Sequence, residues 1–220
     1  MTGPGAGTSI EMRQIGTLCS TEPWGYIVKV LLALERLLES YPIEQITSGR
    51  LAREAGISRS TFYRQYASVD DVLVQLFDHV IDEMVVASDG WISGTDPLLR
   101  PSLRGIHMVF LNHGPLLRAV VDAEVGELTA TSERYRGVMA MWDEAVSLRL
   151  QESYPWVPQP DLIAHALNAA DERLMYYQYG DGPESVSEEH FNQTFDVMYG
   201  MWCSAMGIQP GPETRVDSSP

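Results

Sequence analysis

An all-α fold is what the 220-residue sequence predicts, and three observations carry that reading. Apolar side chains recur three and four positions apart through most of the chain, which is the spacing of one helix face. Glycine and proline gather in short runs between those stretches, as they do in connectors. Alternation of the kind that makes a half-buried strand is scarce. Together these imply about nine helices, grouped as a small N-terminal helix-turn-helix unit and a larger C-terminal helical unit. Hydrophobic residues make up 45% of the chain, an ordinary globular proportion.

Residues 1–20 read as an arm without periodicity, and residues 21–68 as the first unit. The first helix fits residues 24–39, where Ile27, Val30, Leu31, Leu34, Leu37 and Leu38 form one stripe. Thr21 is placed to cap it, with Pro23 in the first turn, and Pro42 follows its end. A short second helix fits residues 47–55, capped by Thr47 or Ser48, with Leu51, Ala52 and Ala55 facing inward. Gly56 follows, suited to a left-handed helix end. Ser58 is placed to cap a third helix over residues 59–65, and Ser68 a fourth over residues 69–87. The fourth carries the stripe Val72, Leu73, Leu76, Phe77, Val80, Ile81, Met84. The stretch SDGWISGTDP, residues 88–97, reads as a connector. Beyond it helices fit 98–112, 115–122, 124–153, 160–178 and 187–206, making 88–206 the second unit and 207–220 a tail.

Charge is distributed unevenly. The formal net charge is -15, yet residues 42–68 hold Arg50, Arg53, Arg59 and Arg64 against Glu44 and Glu54. That segment is net +2, which leaves -17 for the rest. A basic island on an acidic body is an electrostatic footprint for a polyanion. It coincides with the helix, Gly56-Ile57-Ser58 turn and helix of a helix-turn-helix, whose second helix suits the DNA major groove. Arg59, Ser60 and Arg64 are the candidates for reading base edges, since arginine bridges O6 and N7 of guanine. Helix starts near Thr47 and Ser58 add backbone donors for phosphates, and Arg50 is either a phosphate contact or a surface ion-pair partner. Tyr63 points away from Phe62 and is the better contact. Phe62 and Tyr66 suit the core.

The run AREAGISRSTFYRQYAS resembles the DNA-binding segment of the TetR family of bacterial regulators, with Ala52, Ala55, Gly56, Ile57, Ser58, Thr61, Phe62, Tyr63 and Tyr66 at the family's positions. The resemblance implies that Thr61 and Tyr63 touch phosphates and that repression is the usual mode. Val69 stands where the family often has lysine.

The second unit is rich in large soft side chains, and a bundle lined this way encloses an apolar pocket when a few polar groups orient the ligand. In ALNAADERLMYYQY, residues 166–179, Asn168, Asp171 and Met175 share a helical face. Residues 162–204 also resemble the corresponding helices of a mycobacterial repressor in the same family. That likeness implies a pocket lined by Val109, Tyr135, Trp142, Asn168, Tyr176 and Trp202, with Gly105 beside it, so that Gly105→Trp would fill it. Asp171 and Ser102 stand where that relative has asparagine and tryptophan. A carboxylate in an apolar channel needs compensation. A small hydrophobic effector bearing an amine or hydroxyl would supply it, and so would an internal ion pair with Arg173, Arg149 or another arginine.

The last two helices carry His165, Leu167, Phe191, Phe195, Met198 and Trp202, apolar faces suited to a four-helix homodimer interface. Catalytic motifs are not found: no G-x-S-x-G, P-loop, dinucleotide fingerprint or H-E-x-x-H. His107 and His113 are not aligned as metal ligands, Cys19 and Cys203 match no metal spacing, and no cofactor is expected. The first residues do not read as a signal peptide, and no segment reaches ~18 apolar residues. The expectation is a cytoplasmic, homodimeric regulator of double-stranded DNA that is neither an enzyme nor membrane-bound. A soluble helical carrier with a vestigial helix-turn-helix is the rival reading.

Overall fold

The computed structural model describes residues 24–123 and 129–209. The expected arm, the Thr21–Pro23 cap, the first residues of the helix expected from 124, and most of the tail lie outside them. The described residues form nine α-helices and two single 3-10 turns. In chain order the helices are α1 (Trp24–Leu38), α2 (Ser48–Glu54), α3 (Arg59–Tyr63), α4 (Val69–Ile92), α5 (Leu99–Asn112), α6 (Gly114–Asp122), α7 (Thr129–Ser153), α8 (Pro160–Tyr179) and α9 (Glu188–Met206).

Local chemistry explains the helix starts. Thr47, Ser58 and Ser68 each accept a backbone N–H from the first turn that follows, from Arg50, Thr61 and Asp71 respectively. Asp71 returns the bond to the Ser68 backbone, completing a capping box. Gly56 ends α2 with φ 68°, a left-handed conformation that disfavours any residue with a Cβ.

α4 is the spine of the molecule. Its 24 residues rise about 36 Å at 1.5 Å each. Val72, Leu73, Leu76 and Phe77 belong to one apolar core shared with α1, α2 and α3. Farther along, Trp91 belongs to a second core with Leu99, Val146, Leu167 and Phe195. The helix therefore runs past residue 87, and the expected break at Ser88 is corrected. Burial of Trp91, only 2% exposed, outweighs the ~1 kcal/mol helix penalty of Gly90, and the Ser88 hydroxyl bonds the Val85 carbonyl at 3.1 Å. The chain turns at Gly94, where φ is 78°.

Two polar links tie the small unit to the rest. Asp70, in the first turn of α4, accepts the backbone N–H groups of Ala130 and Thr131 at 3.0 and 3.1 Å, capping α7. His113, between α5 and α6, places Nδ1 3.2 Å from Glu35 of α1 and Nε2 3.4 Å from Glu83 of α4. Burial acts to lower the imidazole pKa, but the two glutamates together outweigh it and the net shift is upward. A histidine raised in the folded state contributes stability that is fully present below its unfolded value of ~6.5 and is lost as pH rises through the folded value. The Tm difference between wild type and His113→Gln is accordingly expected to be largest below pH 6 and to shrink in alkaline buffer. An unchanged difference across that range would show that His113 contributes by packing alone.

Candidate DNA-reading helix and apolar cavity

The helix-turn-helix forms as its sequence predicts. Phe62 and Tyr66 are buried, their rings 5.6 Å apart, while Tyr63 on the next position is 57% exposed. Burial, with the Tyr26 phenol nearby, pushes the Tyr66 hydroxyl up to about 12, and it donates to Gln75 Oε1 at 2.6 Å. Arg59 and Ser60 are exposed on α3, Arg64 is exposed at its C-cap, and Thr61 is half-buried.

The neighbours of these side chains differ from a simple surface scatter. The Arg59 guanidinium folds over Gly49, where an added Cβ would come within 2.5 Å of it. Arg64 lies over the Tyr26 ring at 5.7 Å and Arg50 over Tyr41 at 4.2 Å. Glu54 is occupied by Arg36 at 3.3 Å rather than by Arg50 or Arg53. The hydroxyls of Ser58, Ser60 and Thr61 cluster at the start of α3, Ser58 lying 2.8 Å from Ser60 and 2.9 Å from Thr61. Thr47 and Ser58 use their oxygens as caps, so both shape the motif before any contact they make.

The larger unit encloses a cavity of about 110 Å³ with mostly apolar walls. One stripe of α4, Phe77, Ile81, Met84, Ser88 and Trp91, forms a wall, and α5, α6, α7, α8 and Trp202 of α9 close the rest. Six of the eight residues expected at a ligand site stand on the wall: Tyr135, Trp142, Asn168, Asp171, Met175 and Trp202. Val109 and Tyr176 do not. On α5 the rotation that brings Ile106 and Phe110 inward carries Val109 off the wall, and the Tyr176 hydroxyl is directed to Asp122 at 2.6 Å. Gly105 faces α4 instead, where a Cβ would meet that of Ala87 at 2.9 Å. Gly105→Trp would therefore wedge α4 from α5 rather than fill the cavity. Asn168 donates to Asp143 at 2.9 Å, which also meets His165 at 2.7 Å.

Asp171 has an internal partner that is not an arginine. His107 of α5 places Nε2 2.8 Å from its Oδ1, with both side chains buried. The other ring nitrogen lies 3.3 Å from the Tyr179 hydroxyl, which burial pushes well above its ordinary pKa. Tyr179, Phe191 and Phe195 surround the imidazole edge-on. With His107 in place, the carboxylate no longer requires a ligand amine, which removes the basis for expecting one. Sequence reasoning missed this pair. Its signal was present, since His107 and Asp171 both occupy positions on otherwise apolar stripes.

The apolar faces assigned to a dimer are also corrected. Leu167, Phe191, Phe195, Met198 and Trp202 lie in the subunit's own core. The apolar side chains that α8 and α9 leave exposed are Leu162, Tyr177, Val197 and Met201.

A helix-turn-helix carried on a spine that also walls an apolar cavity defines a one-component class of DNA-binding regulator. Comparison with known proteins agrees. The chain is 30% identical over 170 residues to the HTH-type transcriptional regulator EthR of Mycolicibacterium smegmatis, covering 73% of this chain and 77% of that protein. It is 26% identical over 188 residues to EthR of Mycobacterium tuberculosis, covering 80% and 85% respectively. A solved structure from a Rhodococcus species, assigned to the TetR-family transcriptional regulators, superposes with TM-score 0.60 at 15% identity, over 82% of this chain and 98% of that one. No protein-family model matches. The chain belongs to the TetR family of helix-turn-helix transcriptional regulators. Among the described residues no helix is long and apolar enough to cross a membrane.

Proposed function

We propose that the protein is a cytoplasmic homodimeric repressor, released from its operator when a small apolar effector fills the cavity. α3 lies in the major groove, Arg59, Ser60 and Arg64 reading bases, while Thr47, Arg50, Ser58, Thr61 and Tyr63 meet the backbone. The observation that carries the reading is the continuous stripe of α4, whose first turns pack the reading head and whose last turns wall the cavity. An effector that prefers one tilt of this helix changes the spacing of the two heads in a dimer. Reversing a 99:1 population requires ~5.5 kcal/mol of such preference. Leu162, Val197 and Met201 supply the dimer face, two helices from each subunit meeting about a two-fold axis.

Gel shifts on DNA upstream of the protein's own gene test this. Arg59→Ala and Arg64→Ala are each expected to weaken operator binding by about 1–3 kcal/mol, and added salt is expected to weaken the wild-type complex steeply. Full affinity in both folded variants, or no binding to any genomic fragment at low salt, would leave the carrier reading in its place.

A further inference from the structure

Two side chains that line the cavity carry a buried donor without an acceptor among the described residues. Trp91 of α4 and Trp202 of α9 are 2% and 3% exposed, both line the cavity, and their rings meet edge to face at 5.9 Å. Neither indole Nε1 has a hydrogen-bond partner among the described residues. An indole N–H only donates, and a buried donor left without an acceptor costs about 1–3 kcal/mol. Two such groups from separate helices, brought together at one end of an apolar cavity, point to an occupant that supplies the missing oxygen.

The walls also restrict its charge. Asp171 and Glu172 line the cavity, whereas among the described residues no Lys, Arg or His does. A carboxylate would meet like charge, since Arg149, over the Trp91 ring at 5.7 Å, does not line the cavity, and an ammonium group would bring a third donor to an end that already has two. Resting on the ligand-cavity reading above, we infer that the effector is a neutral apolar molecule bearing a carbonyl-type acceptor, seated with its oxygen at Trp91 and Trp202. A carbonyl oxygen has two lone pairs and takes either N–H or both. Selection among apolar molecules then resides in these two indoles, because the surrounding Leu99, Leu103 and Val146 discriminate only by shape.

The test uses an isosteric series: propiophenone, its analogue with CH2 in place of the carbonyl oxygen, the corresponding primary amine and the corresponding carboxylic acid. Binding to full-length protein is followed by titration and by the indole 15N–1H resonances, assigned with Trp91→Phe and Trp202→Phe. The ketone is expected to bind about tenfold tighter than the methylene analogue, moving both indole resonances downfield. In the doubly substituted protein that preference is expected to vanish while the methylene analogue still binds. Equal binding of ketone and methylene analogue, a preference that survives loss of both indoles, or tighter binding of the amine or acid overturns the inference and leaves the cavity a ligand site. Failure of all four probes to bind overturns the cavity reading together with the inference. Should the double variant not fold, the wild-type resonances and the two single variants decide the matter by the same criteria.

Discussion

Replacing Gly114 by alanine is expected to destabilise the protein by about 3 kcal/mol or more, a fall of roughly 10 °C in Tm. Gly114 opens α6 where it crosses the end of α8. A Cβ there would stand 2.0 Å from the Tyr179 carbonyl oxygen and 2.9 Å from the Gly182 nitrogen. Both obstacles are backbone, so no side chain can swing aside. They are also bonded to each other, since Gly182 N–H donates to the Tyr179 oxygen at 2.8 Å. Relief requires α6 to lift from α8, which would strain the neighbouring His113 link and the Tyr179 hydroxyl near His107. Gly137→Ala is the control. Gly137 lies inside α7 and a Cβ there meets nothing within 4 Å, so the change is expected to stabilise by ~0.5–1 kcal/mol through helix propensity. Urea unfolding of the two variants checks the contrast; equal stability would mean that the α6–α8 crossing yields cheaply.

The reading head was legible because its determinants are local. Caps at Thr47, Ser58 and Ser68, a left-handed glycine and an alternation of buried Phe62 with exposed Tyr63 all act within a few residues, so their spacing is their structure. What escaped depends on partners far along the chain. α4 runs through Ser88 and Gly90 because Trp91 has Leu99, Leu103 and Trp202 to pack against, contacts that local propensity cannot contain. Of the six residues on the cavity wall, Asp171 and Met175 came from helix periodicity, Asn168 from periodicity and family likeness, and Tyr135, Trp142 and Trp202 from likeness alone. Val109 and Tyr176 were also carried by likeness alone, and a small rotation of α5 or one hydrogen bond to Asp122 suffices to take such a residue off the wall. Five of the six residues assigned to the dimer face are buried in the subunit for a related reason, His165 alone being exposed. An apolar face signals burial but not what covers it, and α9 turns its largest residues toward its own subunit.

His107→Leu is the second change expected to have a large effect, about 3–5 kcal/mol, because it removes one partner from a buried pair and leaves the other. His107 is wholly buried, enclosed by Tyr179, Phe191 and Phe195, and the Asp171 side chain is 7% exposed. An ionised Asp171 only accepts, so His107 Nε2–H is the donor at 2.8 Å. Leucine fills much of the imidazole volume but offers no proton, and the carboxylate is then left in an apolar wall beside the cavity. Asp171→Asn is milder by the same argument, since its amide oxygen still accepts that N–H. The decisive case is the double variant His107→Leu with Asp171→Leu, in which neither polar group remains. If the cost of His107→Leu comes from the stranded carboxylate, the double variant is more stable than His107→Leu alone, and the coupling in a urea double-mutant cycle is large. Additive losses would instead assign the cost to packing within the aromatic cage. A free carboxylate on the wall also changes what the cavity accepts, so folded His107→Leu protein is expected to gain affinity for the primary amine of the probe series relative to wild type.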